Sequence, residues 1–203
     1  MNGIIIELEK EALDEQISVE SLLRKAYLVA RKLNLSEFEE WINNEQNGYK
    51  GEVPNYRMIK GEYRAWNPYR GWIPVILTPQ MEKIMLSIPV RESVSVLSEI
   101  YVSRNNGVQF SLNAELNDLL NKSTNGFDTK YSFNSSKSEI YRILSTIRNK
   151  ILEWAIILEE NGIIGEGITF TDAEKKKAQE TQVINNYMNY FYSDVSDIEM
   201  KQG

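Results

Sequence analysis

SVESLLRKAYLVARKLNLSEFEEWINNEQNGYKGEVPNYRMIKGEYRAWNPYRGWIPV, residues 18–75, decides the fold. Its first half has the pattern of a helical hairpin. Ser18 is placed to cap a helix, and Leu22, Leu23, Ala26, Val29, Ala30 and Leu33 follow as a stripe at helical spacing. Asn34 breaks the stripe. Ser36-Glu37-Phe38-Glu39 has the form of a capping box, in which serine and glutamate side chains satisfy each other's free backbone donors. The second helix is expected to bury Phe38, Trp41 and Ile42 and to stop at Gly48, a residue suited to a left-handed C-cap. Two helices joined by two or three residues lie antiparallel. The second half changes character. Pro54, Pro68 and Pro74 punctuate it, with Gly61 and Gly71 at turns or bulges. Tyr56 and Met58, then Tyr63 and Trp66, have the composition of short strands with one packed face.

The rest of the chain continues the mixture. Pro79 opens a short helix through Leu86, and a helix after Pro89 carries Val90, Val94, Leu97 and Tyr101. Val108–Leu112 is a strand, Asn113 caps a helix to Leu120, residues 122–126 are a loop, and Phe127–Phe133 is a strand. Ser136-Lys137-Ser138-Glu139 is a second capping box. Behind it Ile140, Ile143, Leu144, Ile147, Ile151, Trp154, Ala155 and Leu158 make one stripe, ended by Gly162. At about 1.5 Å per residue that helix is roughly 35 Å long, enough to serve as the spine of the core. Thr171-Asp172-Ala173-Glu174 is a third box. The expected fold is therefore α+β and α-dominant: an N-terminal helical hairpin and a long C-terminal spine helix packed with a small antiparallel sheet. Residues 1–165 are expected to form the globular domain. Residues 166–203 then hold a linker helix and an extended, β-prone tail. That tail leads either to a further C-terminal domain or to an oligomer contact, since residues 183–200 place little charge on a strand edge. A partner protein, or self-association at least to a homodimer through 183–200, follows as an expectation.

Composition narrows the chemistry. The 203 residues are 42% hydrophobic and 26% charged, with net charge -6. A chain of this length can bury one sizeable core. Its acidic balance argues against a surface given over to nucleic acid or anionic lipid. There is no cysteine and no histidine. Thiol nucleophiles, disulfides and Ser-His-Asp triads are excluded, and zinc is disfavoured. Neither a catalytic residue, a metal site nor a cofactor is expected. Glu7, Glu9 and Glu11 follow the short apolar start directly, unlike a signal peptide, and no apolar run has membrane length. A cytoplasmic protein is expected.

Three blocks together resemble the AbiTii domain of bacterial abortive-infection, phage-resistance proteins: SLLRKAYLVARKLNLSEFEEWINNEQNGY at 21–49, YRMIKGEYRAWNPYRGWIPV at 56–75 and IPVRESVSVLSEI at 88–100. The resemblance implies a role in phage defence, in which infected cells die or stop growing before phage are released. It also implies an N-terminal module followed by another domain. It carries over no catalytic motif.

The strongest candidate surface lies within 56–72. Arg57, Lys60, Arg64 and Arg70 face Glu62 alone, and Tyr56, Tyr63, Trp66, Tyr69 and Trp72 are interleaved with them. Guanidinium groups suit phosphates, and aromatic faces stack bases. The candidate ligand-binding residues are Arg57, Arg64, Trp66, Asn67, Tyr69, Arg70 and Trp72. In the alternative reading the aromatics pack beneath the hairpin and the arginines meet Glu39, Glu40 or Glu45. Asn67-Pro68-Tyr69-Arg70-Gly71 is a tight turn that would present Tyr69 and Arg70 at an edge. Lys175–Lys177 has the pattern of a solvated helix face, as does the Glu37, Glu39, Glu40 and Glu45 set. The leading expectation is a non-enzymatic sensing, regulatory or interaction module of an antiphage defence protein. The alternative is a nucleotide- or nucleic-acid-binding regulatory domain using 56–72. A metal-dependent nuclease-like toxin ranks third.

Overall fold

A computed structural model describes residues 3–123 and 128–181. Among them are α1 (Ile4–Leu13), α2 (Val19–Leu33), α3 (Ser36–Asn47), β1 (Met58–Lys60), β2 (Glu62–Asn67), β3 (Gly71–Pro74) and α4 (Pro79–Met85). There follow β4 (Ser87–Pro89), α5 (Val94–Val102), β5 (Gly107–Ser111), α6 (Ala114–Ser123), β6 (Tyr131–Ser136), α7 (Lys137–Glu160) and α8 (Asp172–Glu180). The protein is α+β and helix-dominant, with a long helix near its C-terminal end and small antiparallel sheets.

The spine is α7. All eight residues of its sequence stripe are buried, and Gly162 follows its end with φ +69°. Its N-terminal half grips the strands, where the Arg142 guanidinium donates to the carbonyls of Tyr56 (3.0 Å) and Met58 (2.6 Å). In its middle, Arg148 donates to the carbonyls of Ala12 (3.2 Å) and Asp14 (3.0 Å), the free acceptors at the end of α1. The N-terminal helix α1 is an element that sequence reading missed. Ile4, Ile5, Leu8 and Ala12 are its buried face, at a spacing that is helical once the isoleucines are counted with Leu8.

The hairpin of α2 and α3 forms as expected, but its turn is built differently. Ser18 caps α2 by accepting from the Ser21 amide (3.2 Å). Asn34 takes the left-handed conformation, φ 58° and ψ 44°. The Leu35 amide reaches back to the Ala30 carbonyl at 3.0 Å, closing a Schellman turn. That turn makes Leu35, which is buried, the residue preceding α3. The capping box expected at Ser36 is consequently not made, and Glu39 instead accepts from Arg31 (3.0 Å) and Tyr27 (3.4 Å). Gly48 does end α3, with φ +86° but an extended ψ of 158° rather than a left-handed helical one. The box expected at Ser136 is also absent, because Glu139 is taken by the Lys60 amide (3.1 Å) and Arg142 (3.0 Å). The third box, Thr171 with Glu174, is complete. It fastens α8 to the body, since Glu174 also accepts from the amides of Ile164 and Gly165. Ala178 of α8 is fully buried.

The strands form two antiparallel sheets, β1–β4 and β3-β2-β6-β5. The strand β4, which ends at Pro89, was not expected from the sequence, and Val90, expected on the following helix, lies before α5 begins at Val94. In the larger sheet Tyr63 lies opposite Phe133, and Phe133 opposite Phe110. These residues form the packed face, with Tyr63 and Phe133 edge-to-face at 5.1 Å. Opposite partners share a face. The other face therefore carries Glu62 with Asn134 and Gln109, Arg64 with Ser132, and Trp66 with Trp72. The tail beyond residue 181 lies outside the described residues.

Candidate functional site

The β2–β3 hairpin is held at its tip by one side chain. Asn67 Oδ1 accepts from the amides of Tyr69 (2.9 Å) and Arg70 (3.1 Å), as an asparagine at the head of a turn does. Gly71 closes the turn with φ +72°, a conformation that costs glycine little. Tyr69 is thereby left 94% exposed, and Arg70 is also exposed. Behind the turn Trp66 and Trp72 are directly paired, with ring centroids 5.4 Å apart at 70°. Trp66 is 45% exposed although its backbone is fixed. Its amide donates to the Lys130 carbonyl at 2.8 Å, and its carbonyl accepts from Thr129 Oγ1 at 2.6 Å. The indoles are thus presented from a sheet rather than from a loose loop.

A cleft of about 1070 Å³ opens between this pair and α6. Trp66, Trp72, Asp118, Lys122, Asp128 and Lys130 line it. Asn117 and Asn121 reach the same cleft but serve structure, tying α6 to the Thr129 backbone and to the Tyr131 amide. One step along the same face, Arg64 pairs with Glu62 at 2.5 Å. It borders a second, more polar cleft of about 1290 Å³ with Lys60, Glu99, Gln109, Asn134 and Glu139.

Of the seven residues expected from sequence, Trp66, Asn67, Tyr69, Arg70 and Trp72 sit together at the hairpin tip, and Arg64 lies beside them. Arg57 is elsewhere. It is 0% exposed and ion-paired with Glu45, which is equally buried. Arg57 Nε donates to Glu45 Oε1 at 3.1 Å, and its other nitrogens reach Glu45 Oε2 and the carbonyls of Val90 (3.1 Å) and Glu92 (2.7 Å). Glu45 also accepts from the hydroxyls of Tyr49 (2.7 Å) and Tyr56 (2.5 Å). Tyr56 in turn accepts from Trp41 Nε1 at 2.8 Å. Burial, reinforced by the Glu45 charge, raises the hydroxyl pKa of both tyrosines. Burial draws the Arg57 guanidinium down, but Glu45 more than offsets it and the net direction is up. Lys150 lies over the Tyr56 ring at 5.4 Å. Burial pulls its ammonium down to about 8, against the opposing charges of Glu153 and Glu45.

Glu45, expected on a solvated helix face, is thus buried, whereas the Lys175–Lys177 run makes surface pairs. Lys175 meets Asp172 at 3.2 Å, and Lys176 meets Glu180 at 3.7 Å. Among the described residues no group of three or more acidic, His or Cys side chains is placed to hold a metal. No helix among them is long and apolar enough to cross a membrane. The far wall of the first cleft, with Lys122 on α6 and Lys130 just before β6, was missed from sequence. Both lysines lie more than 50 residues from Trp66 and arrive there only through the β2–β6 pairing.

Residues 3–183 match the model of one protein family, AbiTii. No curated protein and no solved structure matches the chain.

Proposed function

Starting from the premise that the chain belongs to the AbiTii family, whose membership suggests an abortive-infection defence protein, we propose that it is a non-catalytic sensing module. It recognises a molecular sign of infection at the β2–β3 hairpin and passes that event on by contact with another polypeptide. The observation that carries this reading is the Trp66–Trp72 pair. Two tryptophans stand partly open to solvent on a fixed hairpin of the sheet, beside the exposed Tyr69 and Arg70. Tyr, Trp and Arg are the residue types that anchor recognition surfaces, and a rigid mount lowers the ordering cost of binding.

A second reading has its own support. Arg70 stands beside the tryptophans and Lys122 and Lys130 line their cleft, which suits a nucleotide or a nucleic acid. Self-association through residues 183–200 belongs to the same proposal as a route for passing the event on.

The test is a phage-plating assay on cells carrying the gene with Trp66→Ala and Trp72→Ala. Plaque numbers should return to those of unprotected cells, while the purified variant keeps its helical circular dichroism. Full protection by that variant would refute the reading.

A further inference from the structure

We infer that the cleft between the hairpin and α6 is a site for a nucleoside phosphate, with the base against Trp66 and Trp72 and the phosphate at Lys122 and Lys130. This deepens the second reading above and rests on the hairpin being the recognition element.

Size comes first. At about 1070 Å³ the open cleft is slightly larger than the usual small-molecule site and has room for one nucleotide. Its apolar wall is the two indoles with Pro68 beside them. The indoles stand at 70°, so one offers a face where the other offers an edge. A flat heterocycle stacks on such a face whichever base it is. The Trp66 backbone is bonded to both Lys130 and Thr129. The stacking wall is therefore formed before any ligand arrives.

The polar wall supplies two kinds of group. Lys122 lies in the last turn of α6, and Lys130 stands just before β6. Neither has an ion-pair partner among the described residues. Ammonium groups are suited to a phosphate as point charges. Asp118 sits one helical turn before Lys122, and Asp128 lines the same cleft. A carboxylate beside a nucleotide accepts from ribose hydroxyls, as in dinucleotide sites.

Charge selects the length of the ligand. Two lysines against two aspartates leave the cleft neutral, in a chain of net charge -6. A long single strand binds by neutralising many phosphates, and this cleft can neutralise about two. One nucleotide, or a very short oligonucleotide, fits it; a long strand does not.

The experiment titrates the full chain with adenosine 5′-monophosphate, adenosine and inorganic phosphate, following tryptophan fluorescence. Adenosine monophosphate should quench saturably, adenosine should bind more weakly, and phosphate alone should give no change. Lys122→Gln with Lys130→Gln should weaken the monophosphate about tenfold, the scale of one charge-assisted contact, and leave adenosine unchanged. Both lysines are exposed, so the variant should melt like the parent. Absence of saturable quenching, or indifference to the lysine changes, would overturn the inference. So would preferential binding of a long oligonucleotide with a steep salt dependence. If the nucleotide fails to bind while Trp66→Ala/Trp72→Ala still abolishes phage protection, this inference falls and the hairpin reading stands. If protection ignores the tryptophans, the hairpin reading falls whatever the nucleotide does.

Discussion

Replacing Glu45 by Gln should destabilise this protein severely, and the cost can be worked from the contacts. Glu45 accepts four hydrogen bonds, two from Arg57 and one each from Tyr49 and Tyr56. Both ions of the pair are 0% exposed. In Glu45→Gln the Arg57 guanidinium stays buried, still held by the carbonyls of Val90 and Glu92, but has no counter-charge. Leaving one member of a buried pair uncompensated costs about 3–5 kcal/mol. For a protein of this size that is roughly 6–20 °C in Tm. Urea unfolding followed by the fluorescence of the buried Trp41 and Trp154 would measure it, with the m-value checked for constancy. A loss under about 1 kcal/mol, the value of an exposed pair, would refute the reasoning. Removing both ions is the control. Glu45→Leu with Arg57→Leu should be less unstable than the sum of its single variants, because no charge is then stranded. It should still fall short of the parent, since two tyrosine hydroxyls lose their acceptor at about 1–3 kcal/mol each.

Other outcomes follow from the same structure. Lys150, held down to about 8 when folded, binds its proton more readily when unfolded. Stability should therefore rise as pH climbs from about 8 towards 10, and Lys150→Met should flatten that slope in a Tm series. Trp41→Ala or Trp154→Ala should each cost about 3–5 kcal/mol, since both are buried and Trp154 stacks on Phe38 at 3.8 Å. Either variant melting like the parent would contradict this. Deleting residues 182–203 should turn a dimer into a monomer with the core still folded. Light scattering showing the intact chain monomeric at micromolar concentration would dismiss the tail as an assembly contact.

Elements whose signals are local were legible in the sequence. The α7 stripe, the Ser18 cap and the Thr171–Glu174 box need only neighbours within a turn or two, and each forms as expected. The box at Ser36 failed because the turn at Asn34 makes Leu35 the residue preceding α3, which leaves Glu39 to Arg31 and Tyr27, and the box at Ser136 failed because the Lys60 amide and Arg142 take Glu139. For Arg57 the alternative reading of the arginines holds, because Glu45 is its partner. Nothing in the local sequence separates Arg57 from Arg64. Only the placing of α3 against the segment before β1 makes one interior and leaves the other on the open face of β2. The hairpin tip was visible because Asn-Pro and Arg-Gly fix a turn on their own. Its cleft was not, since Lys122 and Asp118 come from a helix that reaches the tryptophans only when β2 pairs with β6.

Recognition at the hairpin tip is tested most directly by plating phage on cells carrying the gene with Tyr69→Ala and Arg70→Ala. Both side chains are exposed, so folding should be untouched and the Tm should match the parent. Cells carrying Lys175→Ala and Lys176→Ala, on the solvated face of α8, serve as the comparison. The tip variant should lose protection while the α8 variant keeps it. Full protection from both would contradict recognition at the hairpin.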